Sequence, residues 1–166
     1  MRYPLIIFLD FDGVLHPISA RLCERWSRME LLCSLLGRNP DVRVVVSSSF
    51  REFTSMDKIL ALFPEDRRQQ IIGGTPSLAV GWGNTQIPKR HREILAWLDG
   101  NEFGDIPWIA LDDDREYFDG ACDELYLVDE RTGLTQDDVD ALSNRIRILR
   151  ALARPASPGN DVTALG

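Results

Sequence analysis

Two carboxylates stand one residue apart at the end of an apolar run near the start of the chain. The stretch reads LIIFLDFDGVLHP, so Asp10 and Asp12 directly follow residues suited to burial in a core. Successive residues of a strand point to opposite sides, and Asp10 and Asp12 therefore share one side while Phe11 faces the other. Two acids on one side of a strand end can act on a single reacting centre in separate roles.

Two further polar clusters follow other apolar runs. Ser47 and Ser48 come after a run of three valines, and the acidic triplet 112–114 comes after Ile-Ala-Leu. In an open parallel sheet, ligands bind beyond the carboxyl ends of the strands, so these clusters would meet the aspartate pair at one edge. Acids brought that close do not all stay ionised without a cation, and hard oxygen ligands suit Mg²⁺. A serine hydroxyl and backbone amides at a helix start would hold phosphate oxygens.

A group of basic residues supplies the positive charge that such a site needs. The stretch IPKRHREILAWL places Lys89, Arg90 and Arg92 near the start of a predicted helix. Basic side chains usually avoid a helix N-terminus because its dipole is positive there, and a nearby anionic ligand or acidic site would explain them. A solvated basic turn is the alternative. Arg51 either reaches a phosphate from the serine loop or forms a salt bridge on the surface of a helix.

The elements that would position these residues are read from hydrophobic patterning. Short apolar runs without alternation are typical of parallel strands covered on both faces. Helical spacing of apolar residues separates them, with stop or start signals at Gly37, Pro40 and Pro88 and a capping box at Thr135 and Asp138. This alternation predicts a three-layer α/β/α, Rossmann-like domain with a mainly parallel sheet of about five strands. The predicted strands are 5–9, 42–46, 70–72, 108–111 and 125–128, and the predicted helices centre on 22–36, 94–98 and 139–149.

The remaining segments are predicted to be irregular. Residues 73–86 should form a loop, in which Trp82 either packs onto the domain or serves as a substrate platform. Residues 1–153 should form one domain, and 154–166, rich in small and polar residues, a flexible C-terminal tail.

Composition excludes some classes of function. The 166 residues carry 19 Lys and Arg against 26 Asp and Glu, a net charge of -7, which disfavours general binding to nucleic acid or anionic membranes. No apolar stretch is long enough to cross a membrane, and the opening run lacks the features of a signal peptide. The three cysteines have no metal-site or disulfide spacing, so we expect buried free thiols in a cytoplasmic protein.

Taken in the order in which they occur along the chain, the four motifs resemble those of the haloacid dehalogenase-like (HAD) phosphohydrolases. LDFDGVLHP is similar to the first motif of that family, VVVSSS to the second, Lys89 or Arg90 to the third, and IALDDD to the fourth. The resemblance covers about residues 3–130. With SSSFRE, REILAWL and DERTGLT, it extends to a small bacterial branch without a large cap domain, related to the HAD domains of RNA-repair proteins.

The resemblance implies a role for each motif. Asp10 would be the nucleophile that forms an aspartyl-phosphate, and Asp12 the general acid and then the general base. Mg²⁺ would be held by the Asp10 carboxylate, the Asp12 backbone carbonyl and either Asp112 or Asp113. The remaining assignments are catalytic roles for Ser47 and for Lys89 or Arg90, and substrate binding by Ser48 and Arg51.

Two departures from the wider family bear on the substrate. Val14 and Leu15 replace its common Thr-Leu pair, and the fourth motif has no spaced second aspartate. An uncapped site would admit a nucleic-acid end or a phosphoprotein as well as a small phosphate ester, and oligomeric state is left open.

Two alternative functions remain: a catalytically inactive HAD-like binding subunit, and a receiver-like phospho-signalling domain. A receiver would need its phosphate-accepting aspartate at the end of a middle strand, where this chain has serines.

Overall fold

Five parallel strands form one sheet in the computed structural model, which describes residues 5–103 and 105–153. The order across the sheet is β3-β2-β1-β4-β5, so the strand that precedes Asp10 is central. The predicted fold class and all five strands are confirmed, with ends that differ by at most two residues. The strands are β1 (Ile6–Leu9), β2 (Arg43–Val46), β3 (Ile71–Gly74), β4 (Trp108–Asp112) and β5 (Leu125–Leu127).

Helices cover both faces of the sheet. Apolar residues of α1, α2 and α5 pack on one face, and those of α4 pack on the other. The short α3 lies between α2 and β3 in the chain. The helices are α1 (Met29–Arg38), α2 (Met56–Ala61), α3 (Glu65–Arg68), α4 (Lys89–Gly100) and α5 (Gln136–Ala153).

Burial on both faces explains why the sequence of the central strand β1 does not alternate between apolar and polar residues. Ile7 and Leu9 belong to the apolar cluster under α1 and α5, whereas Ile6 and Phe8 belong to the cluster under α4. All four side chains are fully buried, so each face of the strand contributes to a core. The burial holds β1 firmly in place and thereby fixes the position of Asp10.

The first predicted helix, 22–36, is wrong in its first half. Only a single 3₁₀ turn forms at Leu22–Glu24, and α1 begins at Met29. Trp26 has a φ of 66°, a left-handed conformation that an α-helix cannot contain, and it separates the two segments. Gly37 lies inside the last turn of α1 rather than after it. All three cysteines are free, as expected, but only Cys122 is buried. Cys23 is exposed and Cys33 is partly buried, which corrects the expectation of three buried thiols.

The later helices begin where the sequence indicates. Pro88 directly precedes α4. Before α5, Thr135 N–H donates to Asp138 Oδ2 at 2.8 Å, and Asp138 N–H donates to Thr135 Oγ1 at 3.3 Å. This reciprocal pair is the predicted capping box.

The segment between β3 and α4 is a loop, but it is shorter than predicted because residues 73 and 74 belong to β3. Trp82 is 56% exposed and lines a cavity of about 250 Å³ against the outer side of α4.

The other connections contain only short helices and turns. In the described part of the chain, residues 5–103 and 105–153, no cap domain is inserted. None of the helices described is long and apolar enough to cross a membrane. The predicted tail, 154–166, lies outside the described residues.

Candidate metal and phosphate site

Three carboxylates from two neighbouring strands meet at the carboxyl edge of the sheet. Oxygen atoms of Asp10, Asp112 and Asp113, hereafter the acidic cluster, lie within 4.8 Å of one another. The sheet register explains this convergence, because Leu9 of β1 pairs with Leu111 of β4 and the next residues therefore fall side by side. Asp10 N–H donates to the carbonyl of Leu111 at 3.0 Å, which continues the strand pairing to the cluster itself.

The acidic cluster has the electrostatics of a cation site. Burial, followed by the charge of Asp10, raises the pKa of Asp112 to about 6. Burial, then Asp10 and Asp112, raises the pKa of Asp113 to about 7. A divalent cation would relieve this repulsion, and carboxylate oxygens are the ligands that Mg²⁺ prefers. The donor set therefore fits the predicted metal.

Within the cluster, the carboxylates of Asp112 and Asp113 are used differently. Asp112 is fully buried; its Oδ1 accepts from Asp114 N–H at 3.0 Å and its Oδ2 accepts from Arg90 at 2.7 Å. Asp113 is only partly buried, and a carboxylate oxygen of Asp113 lies within 4.8 Å of one of Asp10. Because both oxygens of Asp112 already accept hydrogen bonds from other residues, the geometry favours Asp10 and Asp113 as the carboxylates that would bind a cation.

Arg90 is the basic residue that reaches the acidic cluster. Its Nη1 lies 3.0 Å from Asp10 Oδ2 and 2.7 Å from Asp112 Oδ2, and its guanidinium stacks 4.5 Å above the Tyr117 ring. Burial lowers the pKa of Arg90, but the two carboxylates outweigh it and raise this pKa above its usual value. Arg90 is thus a permanent positive charge held against Asp10.

Lys89 is not brought to the cluster. Its Nζ lies 3.4 Å from Glu52 and 3.5 Å from Glu93, and its side chain is 46% exposed. Adjacent residues of an α-helix are separated by about 100°, so Lys89 and Arg90 cannot face the same group. The structure thereby separates the two candidates that the sequence left equivalent, and a catalytic role for Lys89 is not supported.

The two serines after β2 differ in their contacts. Ser47 is 1% exposed, and its hydroxyl has no hydrogen-bond partner among the residues described. An unpaired buried hydroxyl is costly, which is expected where a ligand completes the hydrogen bond. Ser48 is equally buried, but its hydroxyl accepts from Phe50 N–H at 3.3 Å and caps the 3₁₀ turn Ser49–Glu52. The contacts of Ser48 are therefore local, and substrate binding by its side chain is not supported.

Arg51 is not available to a phosphate. All five of its N–H groups have acceptors: Nε donates to the carbonyl of Thr75, while Nη1 donates to those of Ser47 and Ser48. Nη2 donates to the carbonyl of Pro76 and, at 2.7 Å, to the buried carboxylate of Glu93. These contacts give Arg51 a structural role and do not support the predicted substrate binding, which stays a prediction. The salt bridge considered as its alternative forms with Glu93, but it is buried rather than on the surface.

Asp12 lies beside the cluster rather than in it. Its carboxylate is 49% exposed and contacts the buried ring of His16, with Asp12 Oδ1 3.0 Å from His16 Nε2. A half-exposed carboxylate next to a buried nucleophile candidate suits a group that exchanges protons with solvent and substrate. The predicted contribution of Asp12 to a metal, its backbone carbonyl, stays a prediction.

Sequence reasoning assigned no role to three residues of this site, of which only His16 was singled out, for its position just after the aspartate pair. His16 contacts Asp12, and the ring of Tyr117 stacks on Arg90. The carboxylate of Glu93 accepts a hydrogen bond from Arg51. His16 had a signal, since it follows the aspartate pair within a turn and lies between apolar residues. Glu93 had one too, because it is an acid that directly precedes apolar residues of the predicted helix. Tyr117 had no such signal, because only the folded chain brings it over Arg90.

Fold and site together define the class of protein. A Rossmann-like sheet with a carboxylate cluster at its carboxyl edge is an α/β domain with a candidate cation centre. A family model described as the HAD domain in Swiss Army Knife RNA repair proteins matches residues 6–139, and the chain belongs to that family within the HAD superfamily. The predicted resemblance is confirmed, and membership supports a hydrolase of this superfamily rather than a signalling receiver. No curated protein and no solved structure matches the chain at a significant level.

Gly13 should be indispensable to the acidic cluster. Its φ is 76°, and a Cβ there would overlap the Asp113 carboxylate. We expect Gly13→Ala to displace Asp113 and to weaken Mg²⁺ binding about 10-fold or more, measured by calorimetric titration. Gly81→Ala is the matched control, because Gly81 has a φ of 80° but no atom within 4 Å of the added Cβ. Equal loss of Mg²⁺ affinity in both variants would show that backbone strain alone is responsible.

The raised pKa values of Asp112 and Asp113 predict an unusual pH dependence. The folded protein holds these protons more tightly than the unfolded chain, in which aspartate has a pKa of about 3.9. Without a divalent cation, the free energy of unfolding should therefore fall as pH rises from about 4 through about 7. Mg²⁺ competes with these protons, so it should raise the melting temperature more at about pH 7.5 than at about pH 5. Thermal denaturation with and without Mg²⁺ tests both statements, and an equal Mg²⁺ effect at the two pH values would contradict them.

Proposed function

We propose that this protein is a Mg²⁺-dependent phosphatase that hydrolyses a phosphate monoester through an aspartyl-phosphate on Asp10. The observation that carries the proposal is the convergence of Asp10, Asp112, Asp113 and Arg90 at the carboxyl end of the central strands. Family membership supports the hydrolase class. Mg²⁺ bound by Asp10, Asp113 and the Asp12 carbonyl would offset the repulsion between the nucleophile and an incoming phosphate.

The chain's own residues then have distinct tasks. An Asp10 carboxylate oxygen attacks phosphorus, while the carboxyl of Asp12 gives its proton to the leaving oxygen. In the second half, the Asp12 carboxylate takes a proton from the water that attacks the phosphoryl group and releases Asp10. Arg90 and the unpaired Ser47 hydroxyl would donate to phosphoryl oxygens as charge develops on them.

The open edge of the sheet bears on the substrate. With no inserted cap in the residues described, a phosphate at the end of a long polymer would not be excluded by size. The matching family is described from RNA repair proteins, which supports a nucleic-acid end as substrate. A net charge of -7 opposes extended contact with a polyanion, so binding limited to the terminal phosphate fits better than binding along the strand.

Release of inorganic phosphate from a defined panel tests the proposal. The panel contains 5′- and 3′-phosphorylated oligonucleotides, small phosphate esters and an aryl phosphate, each with the whole chain in Mg²⁺. We expect turnover of at least one ester, its loss on chelation and its return when Mg²⁺ is restored. Ca²⁺ should restore it poorly, because Ca²⁺ adopts longer and less regular coordination than Mg²⁺. No turnover anywhere in the panel would contradict the proposal and favour an inactive binding subunit.

A further inference from the structure

A buried histidine holds one oxygen of Asp12. His16 is 3% exposed, and its Nε2 lies 3.0 Å from Asp12 Oδ1. The other end of the same ring faces Trp26, whose backbone N–H points at His16 Nδ1 at 3.5 Å. The imidazole thus has a polar contact at each nitrogen, a short one to Asp12 and a long one to Trp26, and the catalytic steps proposed above give it no role.

These contacts assign the tautomer of His16. An N–H donor at Nδ1 requires a lone pair there, so the ring proton resides on Nε2 and is donated to Asp12 Oδ1. The indole of Trp26 packs edge-on against the imidazole, with ring centroids 5.2 Å apart. The left-handed backbone of Trp26, with a φ of 66°, breaks the predicted helix at the point where this contact forms. Strain of this kind persists only where the surrounding structure holds it.

The loop that carries His16 is itself anchored. Arg28 N–H donates to the carbonyl of Leu15 at 2.8 Å, and Ile18 N–H donates to the carbonyl of Glu130 at 2.8 Å. These bonds tie both sides of His16 to other segments of the chain. The imidazole is thus a rigid donor, and the half-exposed carboxylate of Asp12 is the group that it orients.

We infer that His16 is a positioning residue that aims Asp12 at the leaving oxygen, an inference that rests on the proposed function. By donating to Oδ1, His16 leaves Oδ2 to carry the transferable proton. As the bond from Asp10 to phosphorus forms and the bond to the leaving oxygen breaks, that proton moves from Asp12 Oδ2 to the leaving oxygen. In the second half, Oδ2 receives a proton from the attacking water, and His16 keeps its own proton throughout.

Leaving-group dependence separates this role from a merely structural one. Proton donation matters most for a poor leaving group, so kcat/KM for phenyl phosphate should suffer more than kcat/KM for p-nitrophenyl phosphate. We expect His16→Leu to lower the first by about 100-fold and the second by less than about 5-fold. His16→Gln, which can place an amide N–H near the position of Nε2, should recover most of the phenyl phosphate activity. Equal losses on both substrates, or no recovery with glutamine, would overturn the inference.

The other histidine of the chain supplies a matched control. His91 is also buried, and its Nδ1 accepts from Asp119 N–H at 3.2 Å, but its ring contacts Trp108 and Phe118 instead of Asp12. His91→Leu should therefore leave the ratio of the two kcat/KM values unchanged. In an Asp12→Asn background, His16→Leu should cause no further loss on phenyl phosphate. A changed ratio in His91→Leu, or additive losses in the double variant, would contradict the assignment.

A measurement that needs no turnover completes the test. Nitrogen NMR of the imidazole distinguishes the tautomers, and we expect the proton of His16 on Nε2 in the wild-type protein. A proton on Nδ1 would overturn the inference whatever the activity. Failure of the proposed function is recognised separately, because the wild-type chain would then turn over no ester of the panel, whereas the position of the ring proton is measured without turnover.

Discussion

Replacing Asp10 with asparagine should abolish turnover while leaving the fold intact. Asparagine preserves the shape of a side chain that is 5% exposed at the end of β1, but its amide cannot attack phosphorus. Loss of a covalent nucleophile costs about 10⁴-fold or more in kcat. The melting temperature without metal should change little. The substitution removes the attraction between Asp10 and Arg90, but it also removes the repulsion of Asp10 on Asp112 and Asp113. Phosphate release and thermal denaturation measure the two effects.

Asp114→Asn is the matched control for Asp10→Asn. The Asp114 carboxylate accepts from Glu116 N–H at 2.8 Å and caps the 3₁₀ turn that follows β4, a task that asparagine performs equally well. Its activity should stay within about 3-fold of the wild type. Mass spectrometry adds the covalent step: in Asp12→Asn, the peptide that contains Asp10 should retain a phosphoryl group after exposure to p-nitrophenyl phosphate. More than about a tenth of wild-type activity in Asp10→Asn would exclude Asp10 as the nucleophile.

Replacing Arg90 with methionine should reduce both stability and activity. Its removal leaves the buried carboxylates of Asp10 and Asp112 without their counter-charge, which costs about 3 kcal/mol in the free energy of unfolding without metal. Loss of a positive charge aimed at the developing phosphoryl charge should lower kcat/KM by about 10²- to 10³-fold. Chemical denaturation and steady-state kinetics measure these quantities independently.

Lys89→Met is the matched control for Arg90→Met, because it removes a positive charge from the neighbouring residue of α4. Lys89 is half exposed and pairs with Glu52 and Glu93 at 3.4 and 3.5 Å, so its loss should cost less than about 1 kcal/mol. The accompanying loss in kcat/KM should be below about 10-fold, because Lys89 does not reach the acidic cluster. If Lys89→Met were the more damaging of the two variants, Arg90 would not be the basic residue of the site.

The strands, and the edge of the sheet that carries the candidate site, were predictable from the sequence because both follow from the burial of parallel strands. A buried parallel strand must be apolar on both faces, and its end is marked where charged or hydroxyl residues begin. This is the pattern at Asp10, Ser47 and Asp112. The relative order of the strands is not visible in such a pattern, but their shared direction is enough to bring the ends to one edge.

Three misses share a different cause. Helical periodicity from residue 22 to residue 36 could not reveal the left-handed Trp26, because backbone conformation at one residue is decided by contacts distant in sequence. Neither could spacing reveal that all five N–H groups of Arg51 have acceptors, four of them main-chain carbonyls. The choice between Lys89 and Arg90 depended on the rotation of α4 about its axis, which packing sets.

Arg51 joins parts of the molecule that the chain itself leaves far apart. Its guanidinium fastens the turn after β2, the turn after β3 and, through Glu93, the helix that bears Arg90. These contacts hold the ends of two strands and α4 in fixed relative positions before any ligand binds. Under the proposed function, such preorganisation would lower the entropic cost of binding a phosphoryl group.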